Sequence, residues 1–201
     1  MDHPAFAFAA SALTWLSLHD VDLPDAELAR LARLSPAEIG GLRLTDGQPP
    51  LHLREVQLPP IVQGLRPGML PVLVQADMQA PGFGPWALLL AVDAAEARLA
   101  DPIAGEVSVP VQALEDHLAG VVALYRDPAG LTGLGPGDAG EPVRALQERL
   151  LRGGFLEQPP NGVFDDATAA ALARFRARRG LPAGPRVDSL AALALLSETA
   201  P

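Results

Sequence analysis

At 201 residues with 49% hydrophobic content, the chain can bury one large core or two small ones, and with no cysteine it holds no disulfide framework, thiolate metal site or cysteine nucleophile. Residues 1–133 carry seven Arg against sixteen acids, which accounts for the whole formal net charge of −9, whereas residues 134–201 carry eight of each. So acidic a first part does not suit nucleic acid, which requires a basic face to release counterions, and "AFAFAASALTW" near the start lacks a basic leader and is too short to span a bilayer.

Residues 4–19 predict a helix with Phe6, Ala9, Ala10, Leu13, Trp15 and Leu16 on a mostly apolar surface. A second helix is expected from Pro24-Asp25, turning Leu28, Leu31 and Leu34 inward. A third is expected after Ser35-Pro36, where Ser35 caps and Pro36 takes the first helical position, with Gly40-Gly41 as its stop. From 42 to 69 the proline pairs Pro49-Pro50 and Pro59-Pro60 point to loops or a short helix. The pattern then becomes β-type: "LPVLVQAD" and "PWALLLAV" flank the loop "MQAPGFG", and "EARLAD" and "EVSVP" are joined by Pro102-Ile103-Ala104-Gly105. That order predicts a hairpin meander. A helix from Pro110 to Leu118, the strand "VVALYR" and a break at Asp127-Pro128-Ala129-Gly130 follow. Helices first and an antiparallel sheet second define an α+β domain over 1–127, with 128–133 as linker.

Residues 134–197 read as a small three-helix bundle. After the turn Gly135-Pro136-Gly137-Asp138-Ala139-Gly140, Pro142 occupies a first-turn position where its missing N–H costs nothing, and Val143, Leu146, Leu150 and Leu151 recur as one inward stripe. Gly153-Gly154 ends that helix. Beyond the Pro159-Pro160-Asn161-Gly162 turn, Asp165 can cap a second helix carrying Thr168, Leu172 and Phe175, and a third follows Asp188 with Leu190, Leu193 and Leu196 inward. Helices this short must pack together to bury their faces.

The run "LGPGDAGEPVRALQERLLRGGFLEQPPNGVFDDATAAALARFRARRGLP" resembles the peptidoglycan-binding domain found beside many bacterial cell-wall enzymes. The resemblance rests on Gly140, Val143, Leu146 and Gln147; Gly154 and Phe155; Asn161, Gly162, Phe164, Asp165 and Thr168; and Phe175, Gly180 and Leu181. Two places depart from that pattern: Arg176 stands where the family usually has Gln, and Gly184 to Ala191 replaces its usual D-G-x-x-G-x-x-T close. Leu146, Leu150, Phe164, Leu172 and Phe175 are core by periodicity, so a glycan or stem peptide is expected to meet Arg144, Gln147, Asn161, Asp165 and Thr168, the last two of which equally suit a capping role. Arg144, Arg174, Arg176, Arg178 and Arg179 read as a solvated basic face that could also pair with stem-peptide carboxylates.

The first part carries its own resemblance. N-terminal helices, the Gly41-Leu42 step, the "LPVLVQA" strand, a second strand, the Asp101-Pro102 corner and a helix before the last strand look like the papain-like fold of double-glycine leader peptidases. A degenerate domain of that kind followed by a peptidoglycan-binding bundle resembles the periplasmic region of the general secretion pathway protein A family, whose junction motif is matched by "LAGVVALYRDP" with Leu118 and Tyr125 in its Trp positions. That family's ATPase and membrane span are absent from these residues, so an anchor is expected outside them.

A peptidase of this kind needs a thiolate, a histidine and an orienting acid. Here no cysteine exists, Trp86 stands in the histidine position, and only Asp101 matches the acid, where it equally reads as a turn acid bonding its own backbone. His3, His19, His52 and His117 show no zinc-type spacing, the adjacent acids Glu115-Asp116 and Asp165-Asp166 point apart, and Gly133 to Gly140 lacks the Lys-Ser/Thr of a phosphate loop; no metal or cofactor is expected. The resemblances imply a non-catalytic periplasmic part of an inner-membrane-anchored protein or complex, holding peptidoglycan and secretion-system proteins and helping a type II secretin through the wall. The other two readings are a cell-wall hydrolase with an unrecognised site and a scaffold that has lost peptidoglycan. Self-association or a protein partner would use an exposed edge strand or the Trp15/Trp86 surface.

Overall fold

The computed structural model describes residues 4–19, 53–62, 65, 69–77, 82 and 84–197, and its chain divides into two compact units, passing from the first to the second between Tyr125 and Arg126. The helices expected from Pro24 and after Ser35 lie outside the described residues, as do His3 and His52.

The first unit is α+β. Helix α1 (Pro4–Leu18) is followed by strands β1 (Leu53–Leu58), β2 (Val72–Ala76), β3 (Trp86–Val92), β4 (Glu96–Asp101) and β5 (Gly105–Pro110), the short helix α2 (Val111–Glu115) and β6 (Leu118–Arg126). The sheet order is β1-β6-β2-β3-β4-β5. The meander β2 to β5 is antiparallel throughout, with pairs from Val74↔Ala87 to Leu99↔Val107 and one register shift in β3 between Leu89 and Ala91, as the β-type runs, the alternation of 96–101 and 106–110 and the turn residues predict. Two features differ from expectation. Residues 53–58, read as irregular, form β1, because the flanking prolines interrupt the chain only outside a six-residue strand. β6 begins at Leu118, three residues before its expected start, which leaves α2 a single turn, and it inserts between β1 and β2.

Burial follows position in the sheet. Val72, Leu73 and Val74 on β2 and Val121 to Tyr125 on β6 are buried consecutively, so these strands are covered on both faces; β4 alternates, with Ala97, Leu99 and Asp101 in and Glu96 and Arg98 out. Helix α1 covers β2 and β3 with Phe8, Ala12, Trp15 and Leu16, whereas Ala10 and Leu13 are only half-buried. The Phe8 ring meets Trp86 edge-on, centroids 4.9 Å apart, and Trp15 donates its indole N–H to the Pro71 carbonyl at 3.1 Å. Both tryptophans are therefore core residues and not a free surface.

The second unit contains α3 (Glu141–Arg152), α4 (Asp166–Arg179) and α5 (Ser189–Ser197). The segment expected as linker is tied into it: the buried Asp127 carboxylate accepts from the Leu131 and Thr132 N–H groups, both at 2.8 Å, and Gly133 and Leu134 exchange backbone bonds with Val187. On α3 the inward stripe is Val143, Leu146, Gln147 and Leu150; Leu151 is exposed, because a residue one step past Leu150 lies about 100° round the helix. The left-handed residue after this helix is Gly154, while Gly153 stays right-handed. On α5, Ala191, Ala192, Leu193 and Leu195 are buried and Leu190 and Leu196 are half-buried, so small residues let this helix approach closely. Arg176, expected on the solvated face, is 2% exposed and donates to the carbonyls of Pro182 and Arg186 and to Asp188 Oδ2, which holds the 181–188 segment against α4.

Candidate ligand-binding site

Among the described residues of the first unit no catalytic set assembles. Asp101 Oδ1 accepts from the Ile103 and Ala104 N–H groups, each at 2.7 Å, and its Oδ2 accepts from Gly84 N–H at 2.6 Å, so both oxygens are committed to the β4–β5 corner and the entry to β3. Trp86 faces Phe8 in the core. His19 bonds the Trp15 carbonyl at 2.7 Å and stacks on its ring, and His117 pairs with Asp77 at 3.1 Å. Among the described residues no three His, Asp or Glu side chains converge as metal ligands. A chain without a thiol cannot run the nucleophilic chemistry of a papain-like peptidase, and the Asp101 carboxylate is taken up by backbone N–H groups.

The second unit does gather the expected residues. Gln147, projecting inward from α3, sits at the centre, buried to 2% exposure. Its Oε1 accepts from the backbone N–H groups of Asn161 (2.9 Å) and Gly162 (2.8 Å), and its Nε2 faces Asn161 Oδ1 (2.8 Å), Val163 O (2.9 Å) and Thr168 Oγ1 (2.9 Å). Backbone N–H groups donate only, so they fix which end of the Gln147 amide faces the turn. Asn161 Oδ1 also accepts from Val163 N–H at 2.9 Å, and Asn161 Nδ2 donates to Asp165 Oδ2 at 3.0 Å. Asp165 caps α4, its Oδ1 accepting from both the N–H and the hydroxyl of Thr168 at 2.8 Å. Arg144 lies across the same turn, donating from Nη1 to the Pro160 carbonyl at 3.0 Å, with Glu141 3.8 Å from its Nε.

The turn is held to the start of α3 as well. Gly140 N–H donates to the Gly162 carbonyl at 2.8 Å, Ala139 and Val163 form an isolated antiparallel bridge, and Gly162 sits at φ +75°, where a Cβ would lie 3.4 Å from the Gly140 carbonyl. The left-handed backbone conformation favours glycine there. The Asn-Gly dipeptide is the one local signal of this turn; the half-exposed Val163, whose N–H and C=O both enter the network, has no sequence signal at all.

These contacts sort the five expected residues. Gln147 and Thr168 are buried and internally bonded, whereas Arg144 and Asn161 are exposed and Asp165 is half-buried. Bonds from the Thr168 N–H, the Asn161 amide and the Thr168 hydroxyl hold the Asp165 carboxyl below the ordinary carboxylate range. A depressed folded-state value stabilises the bundle fully above the ordinary carboxylate value of about 3.9 and is lost as pH falls through the lower, folded one. The bundle is accordingly expected to lose helical circular dichroism on acidification with a component that Asp165→Asn removes. If the variant keeps the whole wild-type acid dependence, the cap does not act through its charge.

No curated protein matches the chain at a significant level. Among solved structures, a periplasmic domain of the EpsAB fusion protein of the Vibrio vulnificus type II secretion system aligns over 100% of this chain and 80% of that one, at 14% identity and a TM-score of 0.53, and so shares its fold. The SleB N-terminal domain aligns over 35% of this chain and 97% of that one, at 31% identity and a TM-score of 0.34. The N-terminal peptidase C39 like domain of the toxin secretion ATP-binding protein from Vibrio parahaemolyticus aligns over 63% of this chain and 99% of that one, at 14% identity and a TM-score of 0.36. Residues 139–188, which hold the whole network around Gln147, match the family model described as "Putative peptidoglycan binding domain".

Proposed function

We propose that the protein is a non-catalytic periplasmic module that attaches to peptidoglycan through its second unit and to a secretion-system protein through its first, within an inner-membrane-anchored complex that helps a type II secretin cross the wall. The observation that carries the reading is the match of residues 139–188 to the peptidoglycan-binding family, with every polar member of the turn in bonding position. The secretion role and the papain-like ancestry of the first unit draw support from the fold shared with the EpsAB periplasmic domain and from a corner acid left without thiol or histidine. Of the five expected ligand residues, Arg144, Asn161 and Asp165 are the ones open to a ligand, and Gln147 and Thr168 set their positions.

Purified protein is expected to sediment with isolated sacculi and to leave murein intact in a zymogram. A clearing zone abolished by one side-chain change would replace this reading with that of a hydrolase. Failure to sediment with sacculi would leave the scaffold reading, in which both units hold proteins only.

A further inference from the structure

We infer that the Pro160–Val163 turn recognises a carboxylate, and that Arg144 together with the outward N–H of Asn161 forms its donor pair; this rests on the reading of the second unit as a peptidoglycan binder and names the group on the wall that it takes. The argument is an accounting of donors and acceptors. The Gln147 amide is fixed by two backbone N–H groups, so its Nε2 faces Asn161, and Val163 N–H faces Asn161 as well. Both neighbours donate, so the Asn161 side chain must turn its oxygen inward and its NH2 outward. One of those two hydrogens goes to Asp165 Oδ2, and the other has no acceptor among the described residues.

Beside it, the Arg144 guanidinium is anchored at Pro160 O through Nη1, and its Nη2 lies 3.9 Å from the position a Cβ on Gly162 would take. Its remaining N–H groups face only the exposed Glu141 at 3.8 Å, too long for a hydrogen bond. Asn161 Oδ1 and Asp165 Oδ1 each already accept two internal bonds, whereas Arg144 keeps guanidinium N–H groups and Asn161 an amide N–H without a hydrogen-bond partner among the described residues. Adjacent spare donors, one set of them on a guanidinium, suit the carboxylates of the stem peptide.

The test compares native sacculi with sacculi whose carboxyl groups have been converted to amides. The full chain carries a net charge of −9, so removing negative charge from the wall would by itself favour non-specific binding. The expected result is the opposite, a loss of affinity of about tenfold or more on amidation, the size of one charge-assisted contact. Arg144→Ala should lose a similar factor on native sacculi and almost nothing further on amidated ones. Arg144→Lys, which keeps the charge without the fork, should fall between. Arg144 is exposed, so both variants should melt with the wild type. Equal binding of the wild type to native and amidated walls would overturn this inference and leave the peptidoglycan reading standing; no binding to native walls would remove both.

Discussion

Gln147→Leu is expected to destabilise the second unit by about 3 kcal/mol, the cost of leaving buried polar groups of the turn without partners. Asn161 is exposed and its N–H can recruit water; Gly162 is buried and its N–H cannot, so the loss concentrates there. Fluorescence isolates the first unit, because Trp15 and Trp86 both lie in it, while helical circular dichroism reports the bundle together with α1 and α2. Urea unfolding followed by helical circular dichroism should show a lowered midpoint, with the tryptophan fluorescence transition unchanged. Gln147→Glu divides the effect further: its carboxylate still accepts from the Asn161 and Gly162 N–H groups but has nothing to donate to Val163 O or Asn161 Oδ1. It should therefore lose part of the stability and release the Asn161 amide from its fixed orientation. A Gln147→Leu variant within 0.5 kcal/mol of wild type, the ordinary scatter for a surface substitution, would mean that the turn is ordered by the Gly140–Gly162 contact and not from α3.

The same residue marks where the sequence becomes hard to read. Apolar periodicity picks out Val143, Leu146 and Leu150 correctly and then prefers Leu151 to Gln147, because a pattern of hydrophobicity has no way to rank a polar residue as core. What places Gln147 inside is a set of partners 14 to 21 residues away, visible only once the turn has closed onto the helix. Asp165, by contrast, bonds Thr168 three residues on, and such a cap is legible from spacing alone. The sheet divides in the same manner. β2 to β5 pair with their sequence neighbours and declare themselves by apolar runs, by the alternation of β4 and by corners such as Asp101-Pro102, whereas the insertion of β6 between β1 and β2 depends on pairing across 42 to 49 residues to β2 and farther to β1, and leaves no local mark. In the first unit the candidate site was legible mainly as a deficit, since a missing thiol is a plain fact of composition.

Arg176→Met should cost the bundle about 3 kcal/mol, in the range for removing one partner of a buried charged cluster. The Arg176 fork reaches Pro182 O at 2.6 Å, the Arg186 carbonyl and Asp188 Oδ2 at 3.0 Å. Asp188 has a second task, since its Oδ1 accepts from Ala191 N–H at 2.8 Å at the start of α5. The guanidinium thus fixes the acid that caps the third helix, and methionine fills its volume without fixing anything. Arg176→Gln, with two N–H groups in place of the fork, should recover part of the loss. Asp188→Asn can keep the Ala191 cap on its one oxygen but then turns an NH2 toward the guanidinium and loses that contact; because the side chain is 53% exposed, it should still cost less than Arg176→Met. None of the three should change the affinity for sacculi at temperatures where the bundle is folded, because the donor pair on Arg144 and Asn161 is positioned by Gln147 and the turn. If Arg176→Met were as stable as the wild type, the 181–188 segment would be held by its backbone bonds at Gly133, Leu134 and Val187, and the buried arginine would be a passenger in the core.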